Sequence, residues 1–162
     1  MATAPRPSHL PALPRPRSRL IGREEERAVA RALLLETSVA LLTLTGPGGV
    51  GKTQLALAVA ADVADDFAGG AVFVDLAPIS DPAVLPAILA AVLGASLRAQ
   101  GDRLADLVSH LRPTQMLLLL DNCEHLIAPV GALVATLLAG CPALQVLATS
   151  RAPLRLREEQ LL

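Results

Sequence analysis

The chain has 162 residues, an apolar fraction of 52% and a net charge of −1, which suits one domain with an ample core. That charge gives no electrostatic footprint for nucleic acid or an anionic membrane, so direct nucleic-acid binding by this segment is not expected. The two cysteines, Cys123 and Cys141, make neither a disulfide framework nor a zinc pattern, and a reducing, cytoplasmic setting follows.

The first nineteen residues are rich in Pro and Arg and lack the apolar stretch of a secretory signal, so 1–19 reads as a disordered leader. No apolar run is long enough to span a bilayer; 126–139, the longest, contains Pro129 and Gly131. A first helix is expected to run to about Leu35, opened by Glu24, Glu25 and Glu26, whose charges suit a positive helix end. An apolar strand over 39–45 follows.

Next comes Gly46-Pro47-Gly48-Gly49-Val50-Gly51-Lys52-Thr53, which matches G-x-x-x-x-G-K-[ST], the phosphate-binding loop of nucleoside-triphosphate proteins. The glycines let the backbone turn tightly, so that successive N–H groups converge on an anion. Lys52 reaches the β- and γ-phosphates as a point charge, and the Thr53 hydroxyl suits magnesium. A chain of this length meets the pattern by chance less than roughly once in a hundred. Thirteen of the 14 basic residues are arginine, and the one lysine stands where the loop calls for it. A helix from Lys52 to about Ala64, beginning with Gln54 in its first turn, completes the strand–loop–helix context.

The units then alternate. A second strand is expected over 71–76, and a helix capped by Ser80 or Asp81 with Pro82 in its first turn ends near Gly94. Asp102 caps a short helix over 103–111. Met116 begins a third strand, five apolar residues ending at Asp121. Pro129 opens a helix to about Ala139, and a fourth strand over 143–149 ends at Ser150-Arg151. Strands separated by helices imply an α/β fold, a parallel sheet with helices on both faces and right-handed crossovers.

Ligands gather at the carboxyl ends of such strands. Asp121 is therefore expected to share the crevice with the loop and to hold magnesium with Thr53, directly or through water. Asn122 cannot act as a base, which leaves Glu124 as the nearest carboxylate to polarise an attacking water. Slow hydrolysis or none is expected. If the fourth strand lies between the first and third, Arg151 reaches the γ-phosphate and distinguishes triphosphate from diphosphate.

Together these motifs resemble the nucleotide-binding domain of STAND-class, NB-ARC-like ATPases, as found in bacterial transcriptional regulators of the AfsR and large LuxR type. Ile21-Gly22-Arg23-Glu24 is similar to their hhGRE motif, the Thr45–Thr53 stretch to their Walker A, the 117–126 segment to their Walker B, and Leu147-Ala148-Thr149-Ser150-Arg151 to their sensor-1 stretch. The resemblance implies a P-loop NTPase three-layer sandwich and an ATP/ADP-binding switch using Mg2+. It assigns base contacts to Ile21 and Arg23, and the terminal phosphate to Arg151. Phosphate contacts fall to Gly46, Pro47, Gly48, Gly49, Val50, Gly51, Lys52, Thr53 and Gln54.

The family sheet order is 5-1-4-3-2. With a fifth strand, lid, winged helix and output domain assigned after Leu162, residues 20–162 read as the N-terminal part of the domain, incomplete at the C-terminus. The expected order is then 1-4-3-2 with the fifth strand truncated. That leaves the first strand as an exposed apolar edge open to self-association. Two rivals remain: a P-loop kinase, in which the Walker A and Walker B strands are adjacent, and an interaction module that binds no nucleotide.

Overall fold

The computed structural model describes residues 9–16 and 20–162. In chain order these give α1 (Glu24–Leu35), β1 (Leu41–Thr45), α2 (Lys52–Val63), β2 (Ala71–Asp75), α3 (Leu85–Leu93), α4 (Arg103–Leu111), β3 (Met116–Asp121), α5 (Ile127–Gly140), β4 (Leu144–Ser150) and β5 (Glu159–Leu161). Single 3-10 turns occupy Ala64–Asp66, Pro82–Val84 and Cys123–His125. All strand pairs are parallel, in the order β2-β3-β4-β1-β5.

Local sequence accounts for most boundaries. The Asp81 side chain accepts from the Ala83 N–H ahead of Pro82, and Asp102 accepts from the Leu104 and Ala105 N–H groups at the start of α4. Gly94 ends α3 in the left-handed region at φ 68°. The helix expected to open at Pro129 begins two residues earlier, at Ile127, because proline in a first turn forfeits no intrahelical bond.

β3 is buried along its whole length, and its side chains alternate between two apolar layers. Leu118 and Leu120 meet α3, α4 and α5, which contribute Leu89, Leu107 and Val134. Leu117 and Leu119 meet the opposite layer, with Leu34 of α1 and Val59 of α2. A strand covered on both faces needs apolar residues at every position, which explains the unbroken Leu run.

The 1-4-3-2 order is present as expected, but the fifth strand is not missing. β5 pairs with β1 from Leu41↔Glu159 to Thr43↔Leu161, and the pairing continues as Thr45 N–H donates to the Leu162 carbonyl at 2.8 Å. Glu159 fixes the approach by accepting from the Leu154 and Arg155 N–H groups, each at 2.8 Å. The expectation of an exposed β1 edge, and of self-association through it, is corrected accordingly. β1 is an interior strand, and its buried backbone polar groups find partners on both sides.

Of the leader expected over 1–19, residues 1–8 and 17–19 lie outside the described residues. Leu10 packs against the layer beneath α3–α5, and Leu13 against the layer beneath α1 and α2. Among the described residues, no helix is long and apolar enough to cross a membrane.

Candidate functional site

The β1–α2 loop, the carboxyl ends of β3 and β4, and the turn after β3 meet at one edge of the sheet. Gly49 and Gly51 take φ values of 80° and 86°, a region costly for any side chain, and this bends the loop around the start of α2. The loop is anchored from outside by Arg23, whose Nη2 donates to the Val50 carbonyl at 2.6 Å while Nη1 pairs with Glu26. Lys52 Nζ donates to the Gly46 and Pro47 carbonyls at 2.7 and 2.8 Å, which holds the ammonium against the loop.

Facing the loop is Asp121, 2% exposed at the end of β3. Thr53 Oγ1 lies 2.9 Å from both of its carboxylate oxygens. Thr149 Oγ1 donates to Asp121 Oδ1 and accepts from the Asn122 N–H at 3.0 Å. Burial is the main force raising the Asp121 carboxyl above the ordinary range; the Thr149 and Thr53 hydroxyls oppose it, and the charges of Asp75 and Glu124 add to it. A carboxylate beside a hydroxyl is a hard-oxygen set of the kind magnesium takes.

These groups border a cleft of about 390 Å³ lined by Gly48, Gly51, Lys52, Thr53, Glu124 and Arg151, among others. Arg151 reaches it because β4 lies between β1 and β3. Its Nε sits 3.7 Å from Glu124 Oε1, and its guanidinium lies over Gly48, where a Cβ would stand 2.8 Å from Nη2. The second Glu124 oxygen, Oε2, is buried without a hydrogen-bond partner. Glu124 as a residue lines the cleft, and an orphaned acceptor of this kind is one that a donor or a cation would satisfy.

A smaller cavity of about 110 Å³, lined by Arg23, Glu26, Leu44, Thr45, Lys52, Leu55 and Leu162, lies next to the loop. Ile21, expected beside a base, is on the surface at 82% exposure. Gly46 opens the loop against the side chains of Val50 and Lys52, and Gln54 lines the main cleft.

Cys123 and His125, neighbours of Glu124, turn elsewhere. The Cys123 thiol donates to the Leu120 carbonyl and is pushed up to about 12, chiefly by burial. His125 Nε2 donates to the Ile79 carbonyl at 2.7 Å. Sequence reasoning missed Thr149 as a partner of Asp121 and Asp75 as a neighbour of the site. Asp75 ends β2 as Asp121 ends β3, and that shared signature was available.

Among solved structures, the chain is similar to Cdc6p from Pyrobaculum aerophilum, with a TM-score of 0.61 and 21% identity over 87% of this chain and 41% of that one. It is also similar to a STAND protein with a tetratricopeptide repeat sensor from Pyrococcus horikoshii, with a TM-score of 0.59 and 15% identity over 99% of this chain and 24% of that one. The chain has the P-loop NTPase fold.

Within this fold the loop, Asp121 and Arg151 share one edge of the sheet. In sequence, the chain is 42% identical over 129 residues to a Mycobacterium tuberculosis protein whose name describes an HTH-type transcriptional regulator, and equally to one from Mycobacterium bovis. The alignment takes in 80% of this chain and spans only 14% of those relatives' length. An uncharacterized M. tuberculosis protein is 35% identical over 130 residues, 33% of its length. No protein-family model matches the chain.

Proposed function

We propose that this chain is the ATP/ADP-binding part of a regulatory switch of the STAND, NB-ARC-like kind, belonging to a transcriptional regulator of the AfsR or large LuxR type. The observation that carries the reading is Thr53 Oγ1 at 2.9 Å from both oxygens of the buried Asp121 carboxylate, across a cleft from Lys52. The names of the mycobacterial relatives favour a regulator, in which DNA binding would reside in another domain.

The loop amides and Lys52 bind the phosphates, with Lys52 exchanging the Gly46 and Pro47 carbonyls for phosphate oxygens. Thr53 and Asp121 would hold Mg2+, which would supply positive charge to offset that of the phosphates. Arg23 fastens the loop at Val50 and, with Ile21, borders the base. Arg151 reads the terminal phosphate, and its contact with Glu124 leaves the guanidinium free to shift toward a stronger anion. Glu124 is the group available to polarise a water, since Asn122 cannot take a proton. Hydrolysis to ADP is accordingly slow or absent, and bound nucleotide acts by differential contacts in two states.

A P-loop kinase fits less well, because β4 separates β1 from β3. The test is thermal unfolding with Mg2+ and ATP or ADP. At ligand a hundredfold above Kd, binding adds about 2.7 kcal/mol to stability, a rise of several degrees in Tm. An unchanged Tm with both nucleotides at millimolar concentration defeats the reading.

A further inference from the structure

β2 and β3 are neighbours, and their last residues, Asp75 and Asp121, are register partners. Two carboxylates thus stand side by side at the edge of the sheet, an arrangement that repels unless something bridges it. Asn122 supplies the bridge. Its amide nitrogen donates to Asp75 Oδ1 at 2.9 Å and to Asp121 Oδ2 at 3.1 Å, which engages both amide hydrogens.

Asn122 is held for this task. Its backbone is left-handed at φ 62°, a conformation asparagine tolerates, and its N–H is fixed by Thr149 Oγ1. Asp75 is held too, since its Oδ1 also accepts from the Ala77 N–H at 2.9 Å. The two loops are separately fastened by Leu76 N–H to the Asp121 carbonyl and by His125 to the Ile79 carbonyl. Removing Asp75 therefore releases the Asn122 amide without parting the loops. Asn122 lines the cleft and Asp75 does not, so the hydrogen-bonded route from Asp75 to the site is that amide, beside the through-space effect of its charge on Asp121.

We propose that Asp75 is a positioning residue of the cation site: through the Asn122 amide it orients the Asp121 carboxylate, and the two together set the affinity for the divalent ion. The inference rests on the nucleotide-binding reading above. Groups that orient a metal-binding carboxylate govern affinity without touching the ion.

The test is the Mg2+ concentration that half-saturates binding of a fluorescent ATP analogue. Asp75→Ala raises it about tenfold, as does Asn122→Gly, which keeps the left-handed backbone. Asp75→Asn retains the oxygen that accepts from Asn122 and returns the value to within about twofold of wild type. The double variant Asp75→Ala/Asn122→Gly stays within about twofold of Asn122→Gly alone, because the hydrogen-bonded link is shared. A purely structural Asp75 would lower Tm and leave the Mg2+ midpoint in place. That result overturns this inference while nucleotide binding stands. A wild-type protein that binds no analogue at any Mg2+ concentration overturns both.

Discussion

Replacing Thr149 by valine removes one hydroxyl at almost constant shape, and two partners lose by it. Thr149 is 1% exposed, its hydroxyl donates to the buried Asp121 carboxylate, and it accepts the Asn122 N–H. A hydrogen bond to a charged group contributes about 1.5–3 kcal/mol, and an orphaned buried donor costs about 1–3 kcal/mol. Asn122 is only half-buried, so the expected loss for Thr149→Val lies toward the lower end of roughly 2.5–6 kcal/mol, still a large share of the ~5–15 kcal/mol typical of a domain. Urea unfolding at neutral pH measures it as a lower midpoint with unchanged slope. Thr149→Ser keeps the hydroxyl and gives up one methyl, costing about 1 kcal/mol. A valine variant within about 1 kcal/mol of wild type, or no worse than the serine variant, refutes the reasoning.

Two further outcomes follow from the same geometry. Asp121 is an acid whose folded pKa is raised, so its contribution favours the fold below the ordinary carboxylate range and fades as pH rises through the folded value. Asp121→Asn should therefore unfold at a higher temperature than wild type at pH 7 without nucleotide, lose that advantage below about pH 4, and show no added stabilisation by Mg2+ with ATP. A lower midpoint for Asp121→Asn at pH 7 contradicts the burial argument. Glu159→Ala frees the Leu154 and Arg155 N–H groups, costing about 1–2 kcal/mol, and loosens β5 from β1. Light scattering should then detect concentration-dependent association absent from wild type.

The sheet was legible in the sequence where burial on both faces forces a continuous apolar run, as in β3, and where glycines and capping aspartates punctuate the chain. Asp102 and the start of α4 matched to the residue. β5 was not legible: Glu159–Leu161 is three residues long, mostly exposed, and shaped by the bond from β1 and by the turn that Glu159 holds. Lys52, Thr53 and Asp121 were readable because a loop motif and a strand-end carboxylate are local patterns. Thr149 was not, since its importance comes from a strand neighbour 28 residues away in the chain from Asp121; Asp75 carries the same strand-end pattern as Asp121, but its register pairing across 46 residues was not visible. The site of Glu124 was half legible. Its distance round the turn from Asp121 hid that it faces Arg151 across the same cleft.

The most direct measurement is titration of a fluorescent ATP analogue, with Mg2+ present, into the wild-type chain and into Lys52→Ala. Saturable binding by wild type, weakened at least about tenfold in the variant, is the expected result, because the ammonium supplies charge-assisted bonds to the phosphates. Equal affinities in the two proteins, or no binding by either, would contradict the account.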